Sequence, residues 1–261
     1  MAKKTFSTLI LGDVYGEPGY RALFVKLQSL IKKTNADFVI INGENSYKGF
    51  GIIPSQVDTL FGMGIDVITS GNHIWQQEEI LPYLDSQSNL LRPANYGSSV
   101  PGHGYTVVQK GSEKVCVINL QGRINLFPID DPFRTVSDVL KKPELKDAIV
   151  FVDFHGESCE EKEALAMYLD GRVTAVVGTH IHVPTDDLKI LPKGTAYVTD
   201  LGMCGSCDGI IGSDPEVAIK RQMTQLPLKA QVYDGNVALN GVVVISDCET
   251  AKAVEIKRID C

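Results

Sequence analysis

No stretch of this 261-residue chain approaches the ~18 consecutive apolar residues of a membrane-spanning helix, so an integral helical membrane protein is excluded. The apolar run nearest the start, Leu9-Ile10-Leu11, follows the basic Met1-Ala2-Lys3-Lys4-Thr5 and is cut off by Gly12-Asp13. It is too short for the apolar region of a secretory signal, and the expected location is the cytoplasm. Positive charge is scarce as well: 25 Lys and Arg face 32 Asp and Glu, a net charge of -7 with a pI near 5.3. No Lys and Arg cluster is available to track a phosphate backbone, so long nucleic acid is not an expected partner. A small phosphorylated substrate held by bound cations is compatible with that balance. The six cysteines have no secretion signal beside them and read as reduced thiols rather than a disulfide framework. Internal repeats, low-complexity segments and linkers are missing too. That leaves residues 1–261 as one domain, and 44% hydrophobic residues are enough for a sizeable core.

What is present has the periodicity of an α/β protein. Short apolar runs at 8–11, 38–41 and 65–69 read as buried strands. Between them, Pro18 opens a helix with Leu23, Leu27, Leu30 and Ile31 on its buried face, and Pro54 opens another, to about Phe61. A third helix is expected around 77–84. This β-α-β-α-β order predicts parallel pairing. Residues 105–108 and 115–120 predict a hairpin around Gly111, and 148–154 and 173–177 predict two further buried strands. Ser158 with Glu161 fits a capping box for a helix through Leu169. The 121–133 segment, with two prolines and no period, reads as a loop that walls a site. Strands at 196–199, 242–245 and 253–256 are expected to form a second, more antiparallel sheet.

Five of the apolar strands end in glycine-flanked polar groups: Asp13, Glu44-Asn45, Asn72-His73, His155, and His180 with His182. In open α/β sheets ligands bind at the C-terminal strand edge. One strand ending in His is more often a satisfied core or surface histidine. Here four of the chain's five histidines fall in one set with two carboxylates and amide oxygens, which suits a divalent metal centre with ligands for two ions. Gly43, Gly71 and Gly178 read as sharp turns beneath those ligands.

The order Asp, Gly-Glu-Asn, Gly-Asn-His, His, Gly-Thr-His-Ile-His resembles the five-block signature of the calcineurin-like metallophosphoesterases. More narrowly it resembles their YmdB-like branch, whose second block carries Gly-Glu-Asn where most relatives carry Gly-Asp. The segments 89–96 (Asn-Leu-Leu-Arg-Pro-Ala-Asn-Tyr), 119–123 (Asn-Leu-Gln-Gly-Arg), 152–155 (Val-Asp-Phe-His) and 191–197 (Leu-Pro-Lys-Gly-Thr-Ala-Tyr) match that branch as well. The resemblance implies an α/β fold, a four-layer α/β/β/α sandwich of the metallophosphoesterase type. It also implies two divalent metal ions: Asp13, Glu44, Asn45 and His182 on one, and Glu44, Asn72, His155 and His180 on the other, with Glu44 bridging. His73, beside the metals, would give a proton to the leaving oxygen, and a water between the two ions would attack phosphorus. The mixed N/O donor set favours Fe or Mn over Zn or Mg. One block departs from the wider pattern: Asp-x-His is replaced by Asp13-Val14-Tyr15. Tyr is a poor neutral ligand, so the first metal is expected to have fewer protein ligands or to lean on Asn45.

Other candidates are read as structural. Cys204-x-x-Cys207 has no second CxxC or nearby ligand histidine and suits an ordinary turn. Cys116, Cys159, Cys248 and Cys261 carry no spacing signal. His103 belongs to an exposed turn. Arg92 and Arg123 are structural or phosphate-clamping, and Trp75 is a core or site-wall residue. The reading implied is a metal-dependent phosphodiesterase for small nucleotides, with 2′,3′-cyclic nucleotides (cyclic AMP among them) first. The alternatives are a phosphomonoesterase or pyrophosphatase on the same metals, a weakly catalytic nucleotide-binding signalling module, and a redox protein using Cys204 and Cys207. Substrate-contacting residues are not identified, and a homo-oligomer is left open.

Overall fold

Nearly every residue of the first strand, β1 (Thr5–Val14), is buried, because its two faces meet two different cores. Leu9 and Leu11 point into one cluster, Phe6 and Ile10 into another. The same alternation runs through the sheet interiors, which is why their strands read as continuous apolar runs. The computed structural model describes residues 4–259, so Met1 to Lys3, Asp260 and Cys261 lie outside the described residues.

After β1 come α1 (Gly16–Thr34), β2 (Phe38–Asn42), α2 (Pro54–Gly62), β3 (Val67–Thr69) and the short α3 (Leu81–Ser86). The middle of the chain holds β4 (Tyr105–Lys110), β5 (Glu113–Gln121), α4 (Pro132–Val139), β6 (Ile149–His155), α5 (Cys159–Leu169) and β7 (Ala175–Thr179). The last third contributes β8 (Lys189–Ile190), β9 (Ala196–Val198), β10 (Met203–Ser206), α6 (Pro215–Thr224), β11 (Val237–Ala238), β12 (Gly241–Asp247) and β13 (Ala253–Arg258).

These strands form a seven-stranded and a six-stranded sheet. In the first, β1, β2 and β3 run parallel, β12 lies antiparallel on the other side of β1 with β13 beyond it, and β10 joins the end of β1 at Asp13 and Val14. In the second, β5, β6, β7 and β9 run parallel between the antiparallel edges β4 and β8. Leu23, Leu27, Leu30, Val57 and Leu60 cover the outer face of the first sheet. Val136, Val139, Leu165 and Leu169 cover that of the second. Phe38, Ile40, Val117, Phe151, Val177 and Val244 fill the space between the sheets. Three cores between four layers make the α/β/β/α sandwich. Among the described residues no helix is long and apolar enough to cross a membrane.

Three local expectations need correction. The C-terminal strands do not make a sheet of their own: β9 lies parallel to β7 in the second sheet, whereas β12 and β13 complete the first. The helix expected over 77–84 starts later than expected: residues 78–80 form a 3-10 turn, and only from Leu81 does the α-helix α3 run, to Ser86. Pro82, in the first turn of α3, lacks an N–H and so marks a helix start rather than an interior. The 121–133 segment does not remain loop to its end, because Asp131 accepts from the N–H groups of Phe133 and Arg134 and caps α4.

Candidate metal centre

The face of each strand that looks into the space between the sheets is apolar along most of its length and polar at its C-terminal end. Ile40 gives way to Asn42, Val67 to Thr69, Val117 to Asn119, Phe151 to Asp153 and Val177 to Thr179, all fully or almost fully buried. Asp153 accepts from the Thr69 hydroxyl, from Thr179 Oγ1 at 2.7 Å and from Asn42 Nδ2 at 3.3 Å. On this polar floor stands His155, the next inward residue of β6 and fully buried.

Three donor groups converge above it. Glu44 Oε1 lies 3.1 Å, Asn72 Oδ1 3.1 Å and His180 Nδ1 3.0 Å from His155 Nε2. The ligand atoms of Glu44, His155 and His180 all fall within 4.8 Å of one another. On the far side of Glu44 the buried Asp13 approaches His182 Nε2, with its Oδ1 at 3.8 Å. Asn45 links the two regions: its Nδ2 donates to Glu44 Oε1 at 3.2 Å and meets His182 Nε2 at 3.3 Å. Its Oδ1 faces His73 Nδ1 at 2.7 Å, so this amide would have to turn over to offer oxygen to the Asp13–His182 side. All eight expected site residues therefore lie in one constellation.

His155 and His180 have their far nitrogens occupied, and His182 has a backbone partner. Thr179 gives its only hydroxyl proton to Asp153, so at 3.0 Å it accepts from His155 Nδ1–H, leaving Nε2 as the ligand atom. His180 Nε2 lies 3.0 Å from Glu157 Oε2, which leaves Nδ1 facing His155. His182 is hydrogen-bonded to the backbone of Ile211. Such outer partners fix tautomer and ring orientation in metal sites. His180 and His182 both have positive φ, at 101° and 70°, so the loop presenting them is strained and held from behind. Asp200 holds it, accepting from Ile181 N at 3.1 Å and from Gly202 N at 2.8 Å.

Gly71 and Gly178 are required by close packing rather than by sharp turns: neither has a positive φ, and Gly178 lies inside β7. A Cβ on Gly71 would lie 2.1 Å from the His155 ring, and one on Gly178 1.8 Å from the Thr199 carbonyl oxygen.

The electrostatics point to an incoming cation. Burial pushes the Asp13 carboxyl up to about 8 against the pull of His155, and its Oδ1 has no hydrogen-bond partner. Burial would lower His155, but Glu44 and Asp13 outweigh it and raise it to about 9. Burial would raise Glu44, yet His155 and His73 hold it well below the usual carboxylate range. Burial and His155 together push His180 down to about 3. Burial lowers His73 too, with Glu44 opposing. Two carboxylates and neighbouring imidazoles are thus sharing protons that divalent ions would replace. An orphaned buried carboxylate oxygen and N/O donors with free lone pairs fit such ions.

The remaining candidates fall outside the centre. Tyr15 stands outside the donor groups: its hydroxyl pairs with Ser213 Oγ at 3.0 Å, its ring set edge-on to His182 at 5.2 Å. Cys204 is buried with its thiol on the Asn240 carbonyl, whereas Cys207 is exposed with its thiol on that of Asn236. His103 sits on an exposed turn against the Asp85 carbonyl. Arg92 is buried against the Pro93 carbonyl, and Arg123 pairs with Asp131. Trp75 packs against the core and Tyr96. Asp153, Glu157 and the Lys162–Asp200 pair were not recognised in the sequence. The available signal was a charged residue inside an apolar run, as in Val152-Asp153-Phe154.

Fold and site together define a metallophosphoesterase, an enzyme class whose side chains gather divalent cations at the strand ends of a four-layer sandwich. Within that class, the chain belongs to the YmdB-like protein family, whose model matches residues 9–259. It is 46% identical over 251 residues to a Bacillus subtilis (strain 168) protein named 2′,3′-cyclic-nucleotide 2′-phosphodiesterase, covering 96% of this chain and 95% of that one. A crystal structure of a hypothetical protein from Thermus thermophilus superposes with a TM-score of 0.91 at 37% identity, covering 97% of this chain and 98% of that one. A structure described as a novel phosphatase, from Mycoplasma pneumoniae, gives 0.92 at 35% identity, covering 99% and 94%.

Proposed function

We propose that the chain hydrolyses phosphodiester bonds of small nucleotides with two divalent cations, Fe or Mn in preference to Zn or Mg, and that 2′,3′-cyclic nucleotides such as cyclic AMP are its substrates. The observation that carries this reading is the convergence of Glu44, Asn72 and His180 on His155 Nε2 at 3.0–3.1 Å, with the far nitrogens of the histidines already occupied. Glu44, Asn72, His155 and His180 would hold one cation, and Asp13, Asn45 and His182 the other, with Glu44 shared. When bound, the cations supply Lewis acidity that neutralises phosphoryl oxygens and acidifies a water.

The other step belongs to His73. Its ring is partly exposed beside the ligands, its backbone N–H donates to Glu44 Oε2 at 3.0 Å, and its Nδ1 is tied to Asn45. As the imidazolium, with Nδ1–H given to Asn45, the ring would use its remaining N–H to protonate the leaving oxygen, a contribution of ~10²–10⁴ in rate. If the bond broken is that to the 2′ oxygen, as in the name of the Bacillus relative, the product is a nucleoside 3′-phosphate.

A phosphomonoesterase or pyrophosphatase would use the same ligands, and the Mycoplasma neighbour is described as a phosphatase. Turnover of a panel of 2′,3′-cyclic nucleotides, nucleoside monophosphates and pyrophosphate by the Mn-loaded protein separates these readings. The expected result is a preference for the cyclic diesters, and a preference for monoesters would replace this reading. Tight nucleotide binding with no turnover of any ester would support a binding module instead.

A further inference from the structure

The loop between β2 and α2 carries an aromatic side chain where most of the molecule's large apolar groups are covered. Phe50 is 41% exposed, and its ring centroid lies 4.3 Å from that of His73 at an interplanar angle of 47°. The loop around it is held from several sides. Phe50 N donates to the Tyr47 carbonyl at 2.9 Å, and Tyr47 N to that of Gly51 at 2.9 Å. Gln77 Nε2 donates to the Phe50 carbonyl at 2.6 Å. Lys48, Gly49 and Gly51 all have positive φ, and a side chain on Gly49 would meet the Tyr15 ring and Val232. The backbone that carries the ring is therefore held in place before any ligand arrives.

From this placement we infer that Phe50 is the stacking surface for the nucleobase of the substrate. The inference rests on the phosphodiesterase reading above and specifies what is attached to the leaving oxygen. His73 must reach that oxygen to protonate it. In a 2′,3′-cyclic nucleotide the leaving oxygen stays on the ribose after the P–O bond breaks. The nucleoside is thus pinned beside His73, where Phe50 offers its exposed face. Every nucleobase has a π-face, so an aromatic platform favours nucleotides over base-free phosphoesters while discriminating little among bases. Rigid placement limits the ordering entropy that binding would otherwise cost.

The test compares, by calorimetry on the Mn-loaded protein, binding of adenosine 3′-phosphate with binding of ribose 3-phosphate, which lacks the base. The expected preference for the nucleotide is roughly tenfold or more. It should collapse in Phe50→Leu and persist in Phe50→Trp. An unchanged preference in Phe50→Leu, or an equal loss for both ligands, would overturn the assignment; the latter would mean that the ring only supports His73. Turnover of 2′,3′-cyclic AMP by the same wild-type preparation reports separately on the phosphodiesterase reading, so the two can fail independently.

Discussion

Lys162 Nζ lies 2.8 Å from Asp200 Oδ2, and neither side chain is exposed. The same carboxylate accepts from Ile181 N and Gly202 N, so this buried ion pair braces the strained loop that presents His180 and His182. Removing one partner of a buried pair leaves an uncompensated charge, at a cost of ~3–5 kcal/mol. Lys162→Met should lower unfolding stability by about that amount, read from urea denaturation. Asp200→Asn keeps an oxygen for one backbone donor and should cost less. Equal stability of Lys162→Met and wild type would contradict the bracing role.

Thr179 connects His155 to Asp153 through a single hydroxyl. In Thr179→Val, His155 Nδ1–H loses its acceptor and Asp153 loses a donor. Metal affinity should fall by ~10–100-fold, measured by competition with a chelator. Unchanged affinity would mean that the ring is oriented by packing alone.

The pH dependence has a definite sign. Asp13 is pushed up to about 8 and His155 to about 9, so both hold protons at pH 7 in the metal-free protein. Cations must displace them, so affinity should rise with pH up to about 9. Calorimetry in buffers of different protonation heat should show proton release at pH 7 that shrinks toward pH 9. Stability of the metal-free fold runs the other way. The folded state binds more protons than the unfolded one between 3.8 and about 8 for Asp13, and between 6.5 and about 9 for His155. Below 6.5 the depressed His180 offsets the Asp13 contribution, so stability falls as pH rises between 6.5 and about 9, and added metal should raise Tm most at the alkaline end.

Tyr15→Phe removes the hydroxyl bound to Ser213 without touching a ligand. The expected cost is ~1 kcal/mol of stability, with metal content per chain unchanged. Loss of metal would place Tyr15 in the ligand set.

The layers of the fold were legible because buried parallel strands are apolar on both faces and α1 shows Leu23, Leu27 and Leu30 at helical spacing. Strand partnership was less so. The continuous apolar run over 242–245 says that both faces are covered, but not that β12 lies against β1. Two helices went unread although each opens on the same signal, Asp131-Pro132 and Asp214-Pro215, an acidic cap followed by proline in the first turn. Ser158 does cap α5, but Glu161 does not complete the box. Its carboxylate accepts from Arg123 N at 3.0 Å and anchors the loop after β5. The eight candidate residues stood out because strand ends concentrate them, and the fold brings them together. Their supports did not stand out: Asp153, Glu157 and Asp200 act through folded neighbours that lie far away in sequence.

The central claim is that His73 gives the proton while the other residues of the centre hold the cations. The measurement that tests it most directly is turnover of 2′,3′-cyclic AMP by His73→Ala beside wild type, each assayed for bound metal. Retention of two metals per chain with a rate ~10²–10⁴-fold lower is the predicted result. Wild-type turnover by a fully loaded His73→Ala protein, or no turnover by fully loaded wild type, would contradict it.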